Sequence, residues 1–245
     1  MFKHLNQSKI FNVEISNTDL SDLLETLLNN SGVTVAVCNT NTLVTADKNF
    51  QFLKILNSFS YRVPDGMPLV WIMKRRGYDQ ERLNGMKILL NTIELGLKTK
   101  TKHFFLGSSP EVLARLKTQL KVKYPEVLIE GTLSPPFGTD DEIIKFIDNN
   151  ISKFINTDIL WVGLGMPKQE VVMHHLKQRN LNIVGIGAVF EWVAGTKSIA
   201  PTFMQNLGLE WLYRLLKEPR RLWRRYFFDF FYILKKSILN SLKLK

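Results

Sequence analysis

The sequence predicts an α/β fold: a mostly parallel sheet with helices on both faces, plus a C-terminal helical basic-aromatic appendage. Three observations predict it. Apolar, β-rich runs alternate with helical patterns, as a parallel sheet with crossover helices requires. Two of those runs, 158–165 and 182–190, pass into glycine-rich turns. Near residue 200 the alternation stops and only helical patterns remain. The 245 residues suit one α/β unit or two small lobes with a buried core. The expected division is an α/β body over 1–200 and an appendage over 201–245.

The elements follow in order. VTVAVC (33–38) reads as a buried strand, and 42–58 as a helix with apolar residues at helical spacing. FSYRV (59–63) is a short strand before the turn-prone Pro64-Asp65-Gly66. HFFLG (103–107) is a strand stopped by Gly107, and Ser109-Pro110-Glu111 is a helix start. EVLIEGT (126–132) is a strand leading to a loop at 134–138. DILWVGLG (158–165) and NIVGIGAVF (182–190) are strands running into glycine turns, separated by a helix over 167–179. The whole reads as a Rossmann-like sheet, whose ligands sit beyond the carboxyl ends of the strands.

Charge separates the two regions. The chain carries 33 basic and 22 acidic residues, net +11. Ten of the basic and two of the acidic residues lie between Trp211 and Lys245, a local +8, together with nine aromatic residues. The longest apolar stretch there, YFFDFFYIL, has nine residues, far short of the roughly 20 that span a bilayer. The N-terminus, MFKHLNQSKIFNVEIS, lacks an apolar export core, and the single Cys38 excludes an internal disulfide. A cytoplasmic protein is expected.

The candidate residues lie in the loops at the strand ends, each with a plain structural alternative. Gly107, Gly163, Gly165 and Gly187 suit either tight turns or close approach to a phosphate, and neither Gly-x-Gly completes a dinucleotide fingerprint. Asp65 suits a turn bonded to its own backbone, which the local sequence favours, or a general base. Asn39-Thr40-Asn41 suits a helix cap, with Thr40 or Asn41 as the capping residue, or a sugar-hydroxyl site. Arg82 lies in a charge cluster and is a candidate anion clamp. Lys168 and Gln169, after a proline in the first helical position, are cap or ligand groups. His174 and His175 are adjacent, so on a helix they diverge by about 100° and cannot grip one metal together. No Asp-x-Asp occurs, so no metal site and no cofactor is expected.

In the tail, Pro219 divides two helices. Arg214, Lys217, Arg221, Arg224 and Arg225 form a basic stripe, and Leu222, Trp223, Tyr226, Phe230, Ile233 and Leu234 an apolar-aromatic one. Such a helix suits an anionic membrane surface. Nucleic-acid binding is the rival, disfavoured because the apolar stripe is too extended for a stacking groove. An aromatic tail also suits a subunit interface, so homo-oligomer formation stays open.

The ordered motifs PDGMPLVW (64–71), ERLNG (81–85), HFFLGSSP (103–110), GTLSPPF (131–137), GLGMPKQE (163–170), GIGAVFEWVAG (185–195) and APTFMQNLGLEWLYRLLKEPRRLWRRY (200–226) resemble the WecG/TagA/CpsF glycosyltransferase family (family 26). The resemblance implies an inverting, metal-independent enzyme. It would move a sugar from a UDP-sugar (N-acetylmannosamine, its uronic acid, glucuronic acid or a hexose) to a polyprenyl-diphosphate-linked saccharide. Its place would be peripheral, on the cytoplasmic face of the bacterial inner membrane, in surface-polysaccharide biosynthesis. It reverses the reading of Asp65, whose counterpart is the proposed general base. It places Thr40, Asn41, Arg82 and Gln169 in the substrate pocket and the arginines Arg214, Arg221 and Arg224 over the diphosphate. Glu191 is a further candidate substrate-binding residue, and the sequence departs from the family pattern there (commonly Asp), at Ile199 (usually Arg) and at Lys87 (usually acidic). The competing class is a non-enzymatic nucleotide- or nucleic-acid-binding module whose basic tail grips phosphates.

Overall fold

The computed structural model describes residues 6–242. The first part of the segment expected to lack an export core (1–5) and the end of the appendage (243–245) lie outside the described residues. The chain opens with a hairpin that the sequence analysis did not anticipate. Strands β1 (Gln7–Ile10) and β2 (Val13–Ser16) pair antiparallel across Phe11-Asn12, both at positive φ (48° and 69°). Two residues at positive φ match the right-handed twist of a tight hairpin. Phenylalanine in the first position and asparagine where glycine is usual hide the signal.

Helix α1 (Leu20–Asn29) leads to β3 (Thr34–Cys38), the expected first strand. The predicted 42–58 helix is two helices, α2 (Thr40–Lys48) and α3 (Phe50–Asn57). Asn49 ends the first and caps the second, its side chain accepting the Phe52 N–H at 3.0 Å. Asparagine favours such a cap because its short amide competes for backbone partners. Strand β4 (Tyr61–Pro64) starts two residues later than expected and is followed by α4 (Met67–Arg75) and α5 (Gly85–Thr99). Then come β5 (Lys102–Gly107), α6 (Pro110–Lys123) capped by Ser109 as predicted, β6 (Leu128–Leu133), and α7 (Asp140–Asn149). Strand β7 (Ile159–Gly163), α8 (Lys168–Leu176) and β8 (Asn182–Gly185) follow. The 182–190 run is not one strand. It ends at Gly185, turns at Gly187 (φ 56°), and Val189–Val193 form α9.

The six strands pair in the order β4-β3-β8-β7-β5-β6, all parallel. Alternation along the strands loads both faces. Phe104 and Leu106 join Leu43, Phe52, Ile143 and Val172 on one side. Phe105 and Trp161 join Leu23, Ile88, Leu116 and Phe190 on the other. Strand β3 feeds α2 on the first face, while its neighbour β8 feeds α9 on the second. The chain therefore leaves adjacent strands in opposite directions, which opens a crevice at their carboxyl ends.

Beyond residue 200 the chain is helical: α10 (Thr202–Asn206), α11 (Glu210–Lys217) and α12 (Pro219–Leu242). Pro219 opens α12, where its missing N–H costs nothing. Polar contacts help to hold these helices to the body. Glu210 of α11 pairs with Arg82, and Asp47 of α2 accepts bonds from Tyr232 and Lys236 of α12 at 2.5 and 2.7 Å. Among the described residues no helix is long and apolar enough to cross a membrane.

Candidate active site

Pro64 ends β4, and the Asp65 N–H continues the ladder by donating to the Cys38 carbonyl at 2.8 Å. Gly66 then caps α4 through its extended backbone. The Asp65 carboxylate does not close a turn on its own backbone. Its Oδ1 accepts from Arg82 Nη2 at 3.0 Å, and Arg82 Nε donates to the Asp65 carbonyl. Two contacts to one residue fix the guanidinium against the strand end.

Arg82 Nη2 also donates to Glu210 Oε2 at 2.7 Å, and the other Glu210 oxygen accepts from Arg214. The Arg214 guanidinium lies 4.3 Å from the centre of the Trp192 ring, a cation–π contact. A chain Asp65–Arg82–Glu210–Arg214 thus links β4, the loop before α5, α11 and α9. Burial pushes the Asp65 carboxyl above its ordinary range; Arg82 and Arg214 pull it down and Glu210 adds to the rise. Burial works against Glu210 too, but Arg214 and Arg82 hold it below the usual carboxylate range. Beside the chain lies a cleft of about 260 Å³, with Arg82, Lys87, Trp192, Ser198, Glu210 and Arg214 in its wall. Ile199, one of the departures from the family pattern, lines it as well.

The glycines divide into two kinds. A Cβ on Gly107 would meet the Gly163 carbonyl oxygen at 2.5 Å, and one on Gly163 would meet the Phe190 ring at 2.6 Å. These two serve close strand and ring packing. Gly165 (φ 75°) has nothing within 4 Å of its Cβ position, and Gly187 (φ 56°) only Gln169 Oε1 at 3.9 Å. These two leave backbone open at the mouth of the sheet.

Other candidates fall in different places. The cap of α2 is Asn39, not Thr40 or Asn41: its Oδ1 accepts the Asn41 and Thr42 N–H groups in a capping box. Thr40 and Asn41 occupy the first turn at the crevice, half-buried, with Asn41 Nδ2 3.9 Å from Met166 Sδ. Pro167 takes the capping position of α8 and not its first helical residue. Gln169 is buried, and its Oε1 accepts the Gly187 N–H at 2.8 Å while Nε2 donates to Glu170. It braces the open glycine turn. Lys168 donates to the Gly138 carbonyl across to the 134–138 loop. Glu191 pairs with Lys197 at 2.7 Å. Of the tail arginines only Arg214 lines the cleft. Arg221 pairs with Glu218 at 2.5 Å, Arg224 lies 5.4 Å from the Trp223 ring centre, and Arg225 is 4.0 Å from Asp229. Glu210 is not among the candidates read from the sequence. Its signal was an acid four residues before Arg214, on one helical face.

Two comparisons say which proteins the chain is similar to. An N-acetylglucosaminyldiphosphoundecaprenol N-acetyl-beta-D-mannosaminyltransferase of Bacillus spizizenii is 29% identical over 229 residues, covering 91% of this chain and 86% of that protein. The model of the glycosyl transferase WecG/TagA/CpsF family matches residues 8–245. A match that runs over nearly the whole chain shows membership: the protein belongs to the glycosyl transferase WecG/TagA/CpsF family.

Proposed function

We propose that the chain transfers a sugar from a UDP-sugar to a polyprenyl-diphosphate-linked saccharide, with N-acetylmannosamine as the sugar and an N-acetylglucosamine-terminated lipid as acceptor. The name of the Bacillus relative supports that pair over the uronic acids and hexoses. The observation that carries the reading is Asp65. It is a desolvated carboxylate at the carboxyl edge of the sheet, held by Arg82 and next to a cleft walled by Arg214.

The reaction is a single in-line displacement. The acceptor hydroxyl gives its proton to Asp65, and its oxygen forms a bond to the anomeric carbon. The bond from that carbon to the UDP oxygen breaks, and UDP leaves with the electron pair, inverting the centre. A carboxyl group raised by burial is a better base than a solvated one. The Thr40 and Asn41 side chains border the acceptor hydroxyl's approach. The open backbone at Gly165, with Arg82 and Arg214, counters the charge growing on the diphosphate, and Gly187, whose N–H is held by Gln169, leaves room beside it. Arg221, Arg224 and Arg225 act on the anionic membrane surface or close on the donor once it binds.

Residues 201–245 form the membrane-associating part and 1–200 the catalytic body. On α12, Trp223, Phe227, Phe228, Phe230 and Phe231 are 49–62% exposed beside the basic residues, as an interfacial helix requires. On this reading the protein works peripherally, on the cytoplasmic face of the membrane that holds its lipid-linked acceptor.

The test is UDP release from UDP-N-acetylmannosamine with a short-chain prenyl-diphosphate N-acetylglucosamine. Asp65→Asn keeps the shape and lowers turnover by roughly 10²–10⁴, the size of a general-base contribution. Near-normal turnover in that variant removes Asp65 as the base. Release with a glucose, galactose or uronic-acid donor instead overturns the sugar assignment.

A further inference from the structure

Glu210 has no part in the displacement just described, yet it is the hinge of the polar chain. It is the first residue of α11, its side chain is 16% exposed, and both its oxygens are engaged by arginines from opposite sides. Arg82 Nη2 is shared between Asp65 Oδ1 at 3.0 Å and Glu210 Oε2 at 2.7 Å, with the shorter contact to Glu210. An exclusive pair with a guanidinium stabilises a carboxylate and makes it a weak base. Sharing the nitrogen weakens that hold. Glu210 simultaneously fixes Arg214, which is pinned on its other side by the Trp192 ring.

We infer that Glu210 is a positioning residue. It draws Arg82 away from an exclusive pair with Asp65 and aims Arg214 into the cleft, so that docking of α11 prepares the base. The inference rests on the reading of Asp65 as that base. The charged and titratable groups facing Asp65 are Arg82, Glu210 and Arg214, together with the Cys38 thiol of β3. Burial pushes the thiol up, so it stays neutral. Arg82 stays charged: burial lowers it, but Asp65 and Glu210 together raise it. Losing the Glu210 charge therefore lets Arg82 act on Asp65 alone, and removes a neighbour that favours the protonated acid.

The experiment follows UDP release with the donor and acceptor above across pH. In the free enzyme, kcat/KM falls on the acid side as Asp65 is protonated. Glu210→Gln, which keeps the shape without the charge, moves that limb down by about one pH unit and lowers the plateau kcat by roughly tenfold. Glu210→Asp keeps the charge with a shorter reach: its limb stays within about half of that shift while kcat falls at least about threefold, since neither guanidinium is aimed. Asp47→Asn loosens the tail at its other contact and leaves the limb in place. Thermal midpoints and far-UV circular dichroism check that each variant folds. A Glu210→Gln limb that does not move overturns the inference, and so does an equal shift in Asp47→Asn. If Glu210→Gln does not fold, unchanged kcat in Glu210→Asp overturns it instead. Near-normal turnover in Asp65→Asn is the distinct result that brings down the base itself.

Discussion

The α/β body and the appendage treat the same aromatic residues in opposite ways. In the body, Phe104, Phe105, Phe154, Trp161 and Phe190 are fully buried, with Phe105 and Phe190 edge to face at 5.5 Å. On α12, Phe227, Phe228, Phe230 and Phe231 meet each other at 4.6–5.8 Å and remain at least half exposed. Composition does not separate the two. Neighbours do: a strand residue of the parallel sheet has a helix over each face, whereas α12 reaches the body through Tyr232 and Lys236 at Asp47 and leaves these rings outside that contact. Exposed rings clustered on one helix face suit the membrane surface proposed above.

The comparison breaks most visibly under truncation. Phe105→Ala costs about 3–5 kcal/mol, since it removes a fully buried ring and leaves a cavity between β5 and α9. Denaturant unfolding checks it; a loss below about 1 kcal/mol means the body is not packed as described. Truncating the same residue type on α12 has a different reading. A Phe227→Ser, Phe231→Ser double variant changes stability by less than about 1 kcal/mol. Its partition onto vesicles of phosphatidylglycerol falls roughly tenfold or more, because each buried ring contributes about 1.5–3 kcal/mol. Flotation of the double variant at the wild-type level sinks the membrane role of this face.

The two regions also differ in how far the sequence exposes them. Short apolar, β-rich runs made β3, β5 and β7 legible, because strands flanked by helices on both faces must be continuously apolar. The hairpin β1–β2 was not legible: four-residue strands joined by Phe11-Asn12 carry no glycine signal. The split between α2 and α3 was missed because Asn49 interrupts the backbone without disturbing the apolar spacing. At the site, motif order located Asp65 and Arg82, and Arg214 was found as part of the basic stripe. The contact among them was hidden, since Glu210 lies 128 residues from Arg82 and long-range pairing leaves no local pattern. The glycines show the same limit. Gly163 and Gly165 are indistinguishable in the sequence, yet a methyl at the first strikes the buried Phe190 and at the second meets open space.

That pair sharpens the comparison within the body itself. Gly163→Ala costs about 1–3 kcal/mol of stability by overpacking against Phe190. Gly165→Ala costs about 1 kcal/mol, from its positive φ alone. The catalytic readout is reversed, because Gly165 borders the open mouth and its new methyl crowds the donor. Donor KM rises at Gly165→Ala more than at Gly163→Ala. Equal KM for both variants separates the glycine turn from the donor.

The smallest effect lies at the contact that ties the two regions together far from the base. The Asp47 side chain is 3% exposed and receives Lys236 at 2.7 Å and Tyr232 at 2.5 Å, with the Lys48 ammonium 4.5 Å from the Tyr232 ring centre. Burial alone would raise Asp47, but bonds from Lys236 and Tyr232 hold it below the ordinary carboxylate range. A carboxyl depressed in the folded state stabilises it above the unfolded value near 4, and that contribution fades as pH falls through the folded one. Tyr232 sets the other limit: burial and the bond to Asp47 push it up to about 12, so its contribution is complete below about pH 10 and is lost as pH rises through the folded value. Asp47→Asn therefore costs about 1 kcal/mol at neutral pH, and the difference from wild type closes below about pH 4. Unfolding followed by tryptophan fluorescence from pH 3 to 8 tests this window. A difference that is flat across it means that the tail is held on α2 by its apolar contacts and not by this ion pair.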